Sequence, residues 1–425
     1  MTIVAVLLIA LATLLPAPEN PVEPRWQCLV CGSTGVTDVI VNVVMFLPYG
    51  VGLAIARTRP RVAIPLMIAT TFAIELLQYR VIVGRDGTLS DVVTNSVGGI
   101  AGFLVAARWQ WWIFANARTS AGLAVTALAA WIATLSASAV AFQVTAQLDG
   151  ATARLAPVIS PLPRFTGRIH AASLDGKVLA DGDVARPDRG WSRGHVLAAS
   201  ITTADRTTGP SPILLLGQET ADQMSLVQQR TDLLGRVRLR ASSWRLVVPA
   251  IRLPDAFASP GDSMRVWSRV RERDVSIGVT SPNVADSIVV ELAPTLGWSL
   301  LVPIGRAVGP LYRWLSALWV SGLLIPVGFW SGQLGASDAR PASLAGVSAA
   351  IARENPGVQR RGRATLQALL ATLILACAVA SLPLVRWGSG AAAPHWSEWA
   401  AVGVGLAVGA AAGIAASRIG GPRPS

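Results

Sequence analysis

The sequence predicts a polytopic α-helical membrane protein of about eight transmembrane helices, with an inserted extracytoplasmic all-β sandwich domain. Three observations predict it. The 425 residues are 52 % hydrophobic and only 14 % charged, and the mean hydropathy of +0.50 is that of a membrane protein. Eight apolar stretches occur, at about 3–16, 38–57, 63–83, 91–107, 121–143, 311–330, 365–385 and 398–417. Most reach the roughly 20 residues that a helix needs to cross the hydrocarbon, with about 17 sufficient. Between the fifth and sixth stretches the texture changes to short runs that alternate apolar and polar residues and are separated by turn signals.

The first stretch, 3–16, is short enough for the apolar region of a signal peptide, but it lacks a basic start and a small-residue cleavage site. It is expected to remain as a first helix. The third, VAIPLMIATTFAIELLQYRVIV, is long enough to span despite its polar residues. The implied organisation is 1–147 as a transmembrane bundle, 148–296 as the sandwich, and 297–425 as a C-terminal transmembrane region with a cytoplasmic linker at 331–364.

The formal charge is +12, which in a soluble protein would suggest nucleic acid. Its distribution excludes that partner. Residues 148–296 hold 18 Lys and Arg against 15 Asp and Glu, leaving 18 against 9 elsewhere, so most of the excess flanks apolar segments. Arginines gather in alternate loops: Arg57, Arg59 and Arg61; Arg108 and Arg118; Arg340, Arg353, Arg360, Arg361 and Arg363; and Arg418 and Arg423. Because short cytoplasmic loops collect basic residues, eight helices with both termini cytoplasmic satisfy the pattern. Residues 148–296 then lie outside an inner (plasma) membrane, with Arg306 and Arg313 as mild exceptions.

This orientation gives geometry to an unusually polar stretch, FAIELLQYRVIVGRDGTLSDVVTNSVGG at 72–99. Glu75 and Gln78 are three apart near the outer end of the third helix, Asp91 and Asn95 four apart at the outer start of the fourth, and Asp38 and Asn42 four apart on the second. Each pair shares a helix face. The loop GRDGTLS adds Arg85 and Asp86 between turn-forming Gly84 and Gly87. Ser90 is placed to cap the fourth helix, whose dipole suits Asp91. Ionisable groups in membrane segments usually mark function, with Glu75 and Asp91 as ligand-binding or acid/base carboxylates and Arg85 as an anion clamp. The alternative is structural, with the amides as interhelical partners and Glu75 paired to Arg85 or Arg80.

These residues carry a family resemblance. Asn42, Phe46, Pro48 and Gly50 in NVVMFLPYG, Glu75 and Gln78 in IELLQ, Gly84 and Arg85, and Asp91, Asn95 and Gly98 in SDVVTNSVGG resemble the VanZ-like family over about 38–107. The resemblance implies a small helical membrane domain in an envelope context, a family whose founding member is associated with low-level teicoplanin resistance. It implies Asn42, Glu75, Gln78, Arg85, Asp91 and Asn95 as the characteristic positions, and it implies no reaction.

In 148–296, the order FTGRIH, PILLLGQ, MSLVQQ, RVRLRA and VELAPTLGW resembles concanavalin A-like or laminin-G-like sandwiches. Such folds bind saccharides or proteins. Trp191, Trp244 and Trp267 are candidates to stack on a sugar, although Trp244 and Trp267 lie in strand-like runs and read more readily as core or half-buried residues. Asp181 and Asp183 lack the spacing of a calcium loop. The order of elements ends with LVPIGRAVGP after Trp298, expected along the interface.

Cys28 and Cys31 in WQCLVCG form a candidate structural disulfide, while Cys377 is expected to be buried packing. His170, His195 and His395 supply no zinc spacing, and no phosphate-binding loop, HExxH or serine triad occurs. No metal or cofactor is expected. Small residues in GIAGFL and GVGLAVGAAAG indicate close helix packing. Three function classes follow. The first is binding of an envelope glycan, a lipid-linked precursor or an amphiphilic antibiotic at the outer leaflet. The second is an enzyme acting on a lipid head group through Glu75 and Asp91. The third is transport, ranked last because the polar residues cluster near one face rather than at the midplane.

Overall fold

Long, predominantly apolar runs with few charges favour helix, and seven such helices among the described residues are long and apolar enough to cross a membrane. The computed structural model describes residues 9, 11, 13, 30, 32–82, 87–160, 162–188, 190–203, 207–218, 221–257, 260–282, 285–302, 307–336 and 356–419. The first apolar stretch falls almost wholly outside these residues, as do Cys28, Cys31, Arg85 and Asp86.

The chain divides into two compact units, residues 1–107 with 140–312, and 108–139 with 313–425. In the first unit, α1 (Gly35–Ile55), α2 (Pro60–Arg80) and α3 (Leu89–Ala107) form a bundle. Pro60 starts α2 at a position where its missing amide costs nothing, and Arg80 in the last turn suits the dipole. Helices α1 and α3 touch backbone to backbone. A Cβ on Gly98 would land on the Val43 carbonyl, on Gly102 on that of Leu47, and on Gly50 on that of Gly99. These glycines substitute contact area for side chains, the usual basis of helix association in lipid. Phe46, Met67 and Phe103 fill the remaining core with Ile9.

The rest of this unit is a two-sheet sandwich. Its strands are β1 (Thr152–Leu155), β2 (Arg168–Leu174), β3 (Lys177–Leu179), β4 (His195–Thr202), β5 (Pro210–Gln218), β6 (Ala221–Gln229), β7 (Asp232–Val237), β8 (Ala250–Leu253), β9 (Ser263–Arg271), β10 (Asp274–Thr280), β11 (Ala285–Glu291) and β12 (Ala307–Val308). One sheet runs β1-β5-β6-β7-β8-β12 and the other β11-β10-β9-β4-β2-β3. All pairings are antiparallel except β12 on β8. Strand β9 alternates as expected, with Val266, Ser268 and Val270 inward and Arg265, Arg269 and Arg271 exposed. By contrast, ILLLG in β5 is buried on both faces. The two sheets meet closely where Gly235 of β7 makes room for Ile277 of β10.

The second unit contains α4 (Trp109–Ile113), α5 (Ala117–Ala141), α6 (Tyr312–Ala336), α7 (Pro356–Gly388) and α8 (Trp396–Ile419). Helices α6 and α8 share a small-residue seam, in which Gly328, Gly332, Gly405, Gly409 and Gly413 each face backbone of the other helix. Trp131 of α5 donates from Nε1 to Ser381 Oγ of α7 at 2.8 Å. The turn between α7 and α8 is closed by a buried pair. Arg386 Nη1 donates to both carboxylate oxygens of Glu398, at 2.9 and 3.0 Å, and its Nε donates to the Ala392 carbonyl.

Two expectations fail here. Cys377 is exposed, because the buried stripe of α7 runs through Ile374, Ala378 and Leu382, and Cys377 sits roughly 100° off Ala378 around the helix. Trp244 lies in a 3-10 turn, Arg240–Trp244, rather than a strand, and is exposed.

Removing one partner of a buried ion pair strands the other charge, at a cost of about 3–5 kcal/mol. Arg386→Met or Glu398→Met alone should therefore lower the thermal midpoint of the detergent-solubilised protein sharply, and the double variant should recover much of the loss. Additive losses would overturn this account. In the sandwich, burial raises the Asp274 carboxyl above its ordinary range, Glu291 directly opposite on β11 and neighbouring Glu272 add to this, and Arg271 opposes it. Ionisation is thus disfavoured in the fold, so stability falls as pH rises from 3.8 through the raised value. Asp274→Asn should stabilise the protein near neutral pH by about a few tenths of a kcal/mol, and the gain should vanish in acid.

Candidate functional site

The polar residues of α1, α2 and α3 converge because glycine contacts hold α1 against α3. Asn42 Nδ2 of α1 donates to Asp91 Oδ1 of α3 at 2.6 Å. Asn95 Nδ2, one turn further along α3, donates to Glu75 Oε1 of α2 at 3.3 Å. Deeper in the same interface, the Thr71 and Ser96 hydroxyls meet at 3.1 Å. Gln78 Nε2 turns to the Thr13 carbonyl at 2.8 Å. Glu75, Gln78 and Asn95 are buried, whereas Asn42 and Asp91 are half-buried. Asn42 and Asp91, and Glu75 and Asn95, are thus brought into direct contact, Gln78 joins the first segment instead, and Arg85 lies outside the described residues.

The start of α3 corrects the expected cap. Ser90 is inside the helix and buried; Thr88 Oγ1 accepts the Asp91 amide at 3.2 Å. Thr88-Leu89-Ser90-Asp91 has the spacing of a capping box, which was the available signal. In that motif the acidic side chain normally reaches back to the cap's own amide. Here the Thr88 amide donates instead to Glu75 Oε2 of α2 at 3.2 Å, and Asp91 holds Asn42 across the bundle. Gly87 is required beside this contact because a Cβ there would strike the Glu75 carbonyl. Asp38 is exposed and bonded by Thr34 at 3.2 Å, and acts on Asp91 as a like charge.

The cluster is rich in acceptors. Glu75 Oε1 and Oε2 and Asp91 Oδ1 each accept from an amide, while Asn95 Oδ1, on a side chain only 2 % exposed, has no hydrogen-bond partner among the described residues. An unsatisfied buried acceptor is costly, and this one is suited to a donated hydroxyl or ammonium proton. Depth follows from helix rise: Asn42, Glu75, Asp91 and Asn95 lie within about 10 Å of the helix ends at which α1 starts, α2 stops and α3 starts.

Those ends carry the sandwich. Thr37 Oγ1 donates to the Leu300 carbonyl at 2.8 Å and accepts the Val247 amide at 2.9 Å, and the Arg245 carbonyl accepts from the Val36 and Thr37 amides. A cap supplied by another domain has no local sequence signal, so Thr37 and Arg245 were not foreseen. Residues 3–113 match the VanZ/LLP1 family model. This stretch is therefore a VanZ-like domain, and it contains α1 to α3 and every residue of the polar cluster. No curated protein and no solved structure matches the chain.

The sandwich residues singled out for ligands have internal roles. Asp181 Oδ1 accepts the Leu155 amide and Asp183 Oδ2 the Ala180 amide, both within about 3 Å. Trp191 packs edge-on against His195, with ring centroids 4.6 Å apart, and His195 Nδ1 meets Asp175 Oδ2 at 2.8 Å. Trp267 is half-buried across Gly278. No group of three metal-ligating side chains occurs among the described residues.

The capping geometry makes a direct prediction. Thr88→Val should cost about 1 kcal/mol of stability through the lost cap, while Thr88→Ser should melt near wild type. Equal losses in both variants would refute the hydroxyl's role.

Proposed function

We propose that the protein binds an amphiphile of the cell envelope at the outer leaflet, using Asn42, Glu75, Gln78, Asp91 and Asn95, with Arg85 as the candidate anion clamp that the sequence offers. The ligand class is one that donates hydroxyl or ammonium protons from its head: a glycan-bearing lipid, a lipid-linked wall precursor, or an amphiphilic antibiotic, with a link to teicoplanin-type resistance through the VanZ-like domain. The observation that carries this reading is the buried Asn95 Oδ1, unpartnered among the described residues, beside two carboxylates in a family-matched bundle.

Three features support it. The carboxylates are held by amide donors, a fixed arrangement that suits a static binding role. The cluster lies near one end of the spans rather than at mid-membrane. The arginine-rich loop Arg57–Arg61 lies at the ends of α1 and α2 opposite those that meet the sandwich, and under the positive-inside rule this supports the reading of an extracytoplasmic sandwich in an inner membrane, with both termini cytoplasmic.

The test uses full-length protein in lipid nanodiscs titrated separately with teicoplanin and with an undecaprenyl-linked disaccharide. Wild type should bind at least one of them, and Asp91→Asn and Asn95→Leu should weaken it by about tenfold, the loss of one good hydrogen bond to a charged or buried group. Unchanged affinity in both variants would overturn the site. Envelope lipids from cells with wild type, with Asp91→Asn and with no protein should have the same mass spectra. A species present only with wild type would instead establish head-group chemistry.

A further inference from the structure

The turn Arg240–Trp244 and the following Arg245 are fixed to the membrane helices through their backbone. Arg245 has a left-handed conformation, φ 54°, which turns its carbonyl onto the first turn of α1, where it accepts from Val36 N at 3.2 Å and Thr37 N at 3.5 Å. At the other end of the turn, Arg240 N donates to the Gln143 carbonyl at 2.9 Å, and Thr145 N donates to the Arg238 carbonyl at 3.0 Å. Val144 and Leu239 form a bridge between these bonds. Residues 143–145 belong to the same unit as the turn, so the turn is held by α1 at one end and by this segment at the other.

Helix α1 has 21 residues, which at 1.5 Å per residue is about 31 Å, the thickness of the hydrocarbon. A single full crossing by α1 would put its first turn at the boundary with the headgroups, and the turn that caps it at headgroup level. Ala241 is fully buried and anchors the turn from beneath, while Arg240, Ser243, Trp244 and Arg245 are exposed. Between Asp232 and Asp255 the chain holds Arg236, Arg238, Arg240, Arg245 and Arg252 and no acidic residue. A tryptophan at this level is at home in the interfacial belt, and guanidinium groups are matched to phosphate.

We propose that Arg240, Trp244 and Arg245 form a contact site for the phosphate headgroup of an anionic phospholipid, with the two guanidinium groups on the phosphate and the indole at the glycerol level. Arg245 Nη1 already donates to the Val30 carbonyl at 3.0 Å, and its guanidinium retains further donors for a phosphate oxygen. This site is separate from the polar cluster of the VanZ-like domain and does not depend on its ligand.

The test measures lipid retained by the full-length protein, by native mass spectrometry from micelles containing equal phosphatidylglycerol and phosphatidylcholine. Wild type should retain phosphatidylglycerol preferentially. Arg240→Gln should lower that preference about fivefold, the effect of one interfacial arginine, and the Arg240→Gln/Arg245→Gln double variant should lower it further. Arg240→Gln is decisive because Arg245 also holds Val30. Equal retention of the two lipids by wild type, or an unchanged preference in the double variant, would overturn the proposal. So would displacement of the retained lipid by inorganic phosphate, which would mark a soluble-anion site. A photo-crosslinking residue at position 243 should capture phosphatidylglycerol in nanodiscs, and failure to capture any lipid would show the turn to be away from the bilayer.

Discussion

Close approach of two glycine-lined helix backbones governs the VanZ-like domain. In lipid there is little hydrophobic gain from bringing helices together, so association depends on surface fit and on polar contacts that the hydrocarbon cannot replace. Gly50, Gly98 and Gly102 supply the fit by letting carbonyls of each helix lie against the backbone of the other. That separation places Asn42 within hydrogen-bonding distance of Asp91. A side chain at any of these glycines would separate the helices and leave the carboxylate and carboxamides facing an apolar solvent without partners. Fit and polarity are thus two aspects of one constraint, because the polar contacts are short only where the backbones touch.

The capping exchange extends this dependence to the third helix. A helix start ordinarily satisfies its amides locally, from its own cap and first turn. In α3 the work is divided: Thr88 accepts one amide, while Glu75 from α2 accepts the Thr88 amide. The beginning of α3 is therefore incomplete without α2. This explains why a glutamate can lie 2 % exposed in a membrane helix: the donors that stabilise it are built into the neighbouring helix terminus and the Asn95 side chain.

The sequence was most informative where a single helix or strand decided the outcome. Continuous apolar runs marked helices long and apolar enough to cross a membrane, seven of them among the described residues, and alternating runs with turn signals marked a two-sheet β-domain. The spacing of polar residues placed Glu75 with Gln78 and Asp91 with Asn95 on shared helix faces at similar depth, but it did not specify the contacts between helices. Contacts between distant segments were less accessible. Helix periodicity does not reveal which face of α7 is covered, so Cys377 was misplaced. The β-propensity of WRLVV suggested a strand, but the left-handed Arg245 ends a 3-10 turn there. The Thr37 and Arg245 contacts join residues more than 200 positions apart, and nothing local in either segment requires them.

Thr37 has a mechanical consequence. Its single hydroxyl is used twice, giving its proton to Leu300 and receiving one from Val247, so it fixes α1 to two separate segments of the β-domain. Sliding the helix along its axis by one residue, about 1.5 Å, would break both bonds together. Asn42 lies five residues further along the same helix, roughly 7.5 Å away. The hydroxyl therefore works as a dowel: a load on the outer domain is passed to the helix without slippage, and reaches the carboxylate held by Asn42 as a change in position rather than being lost in a loose joint.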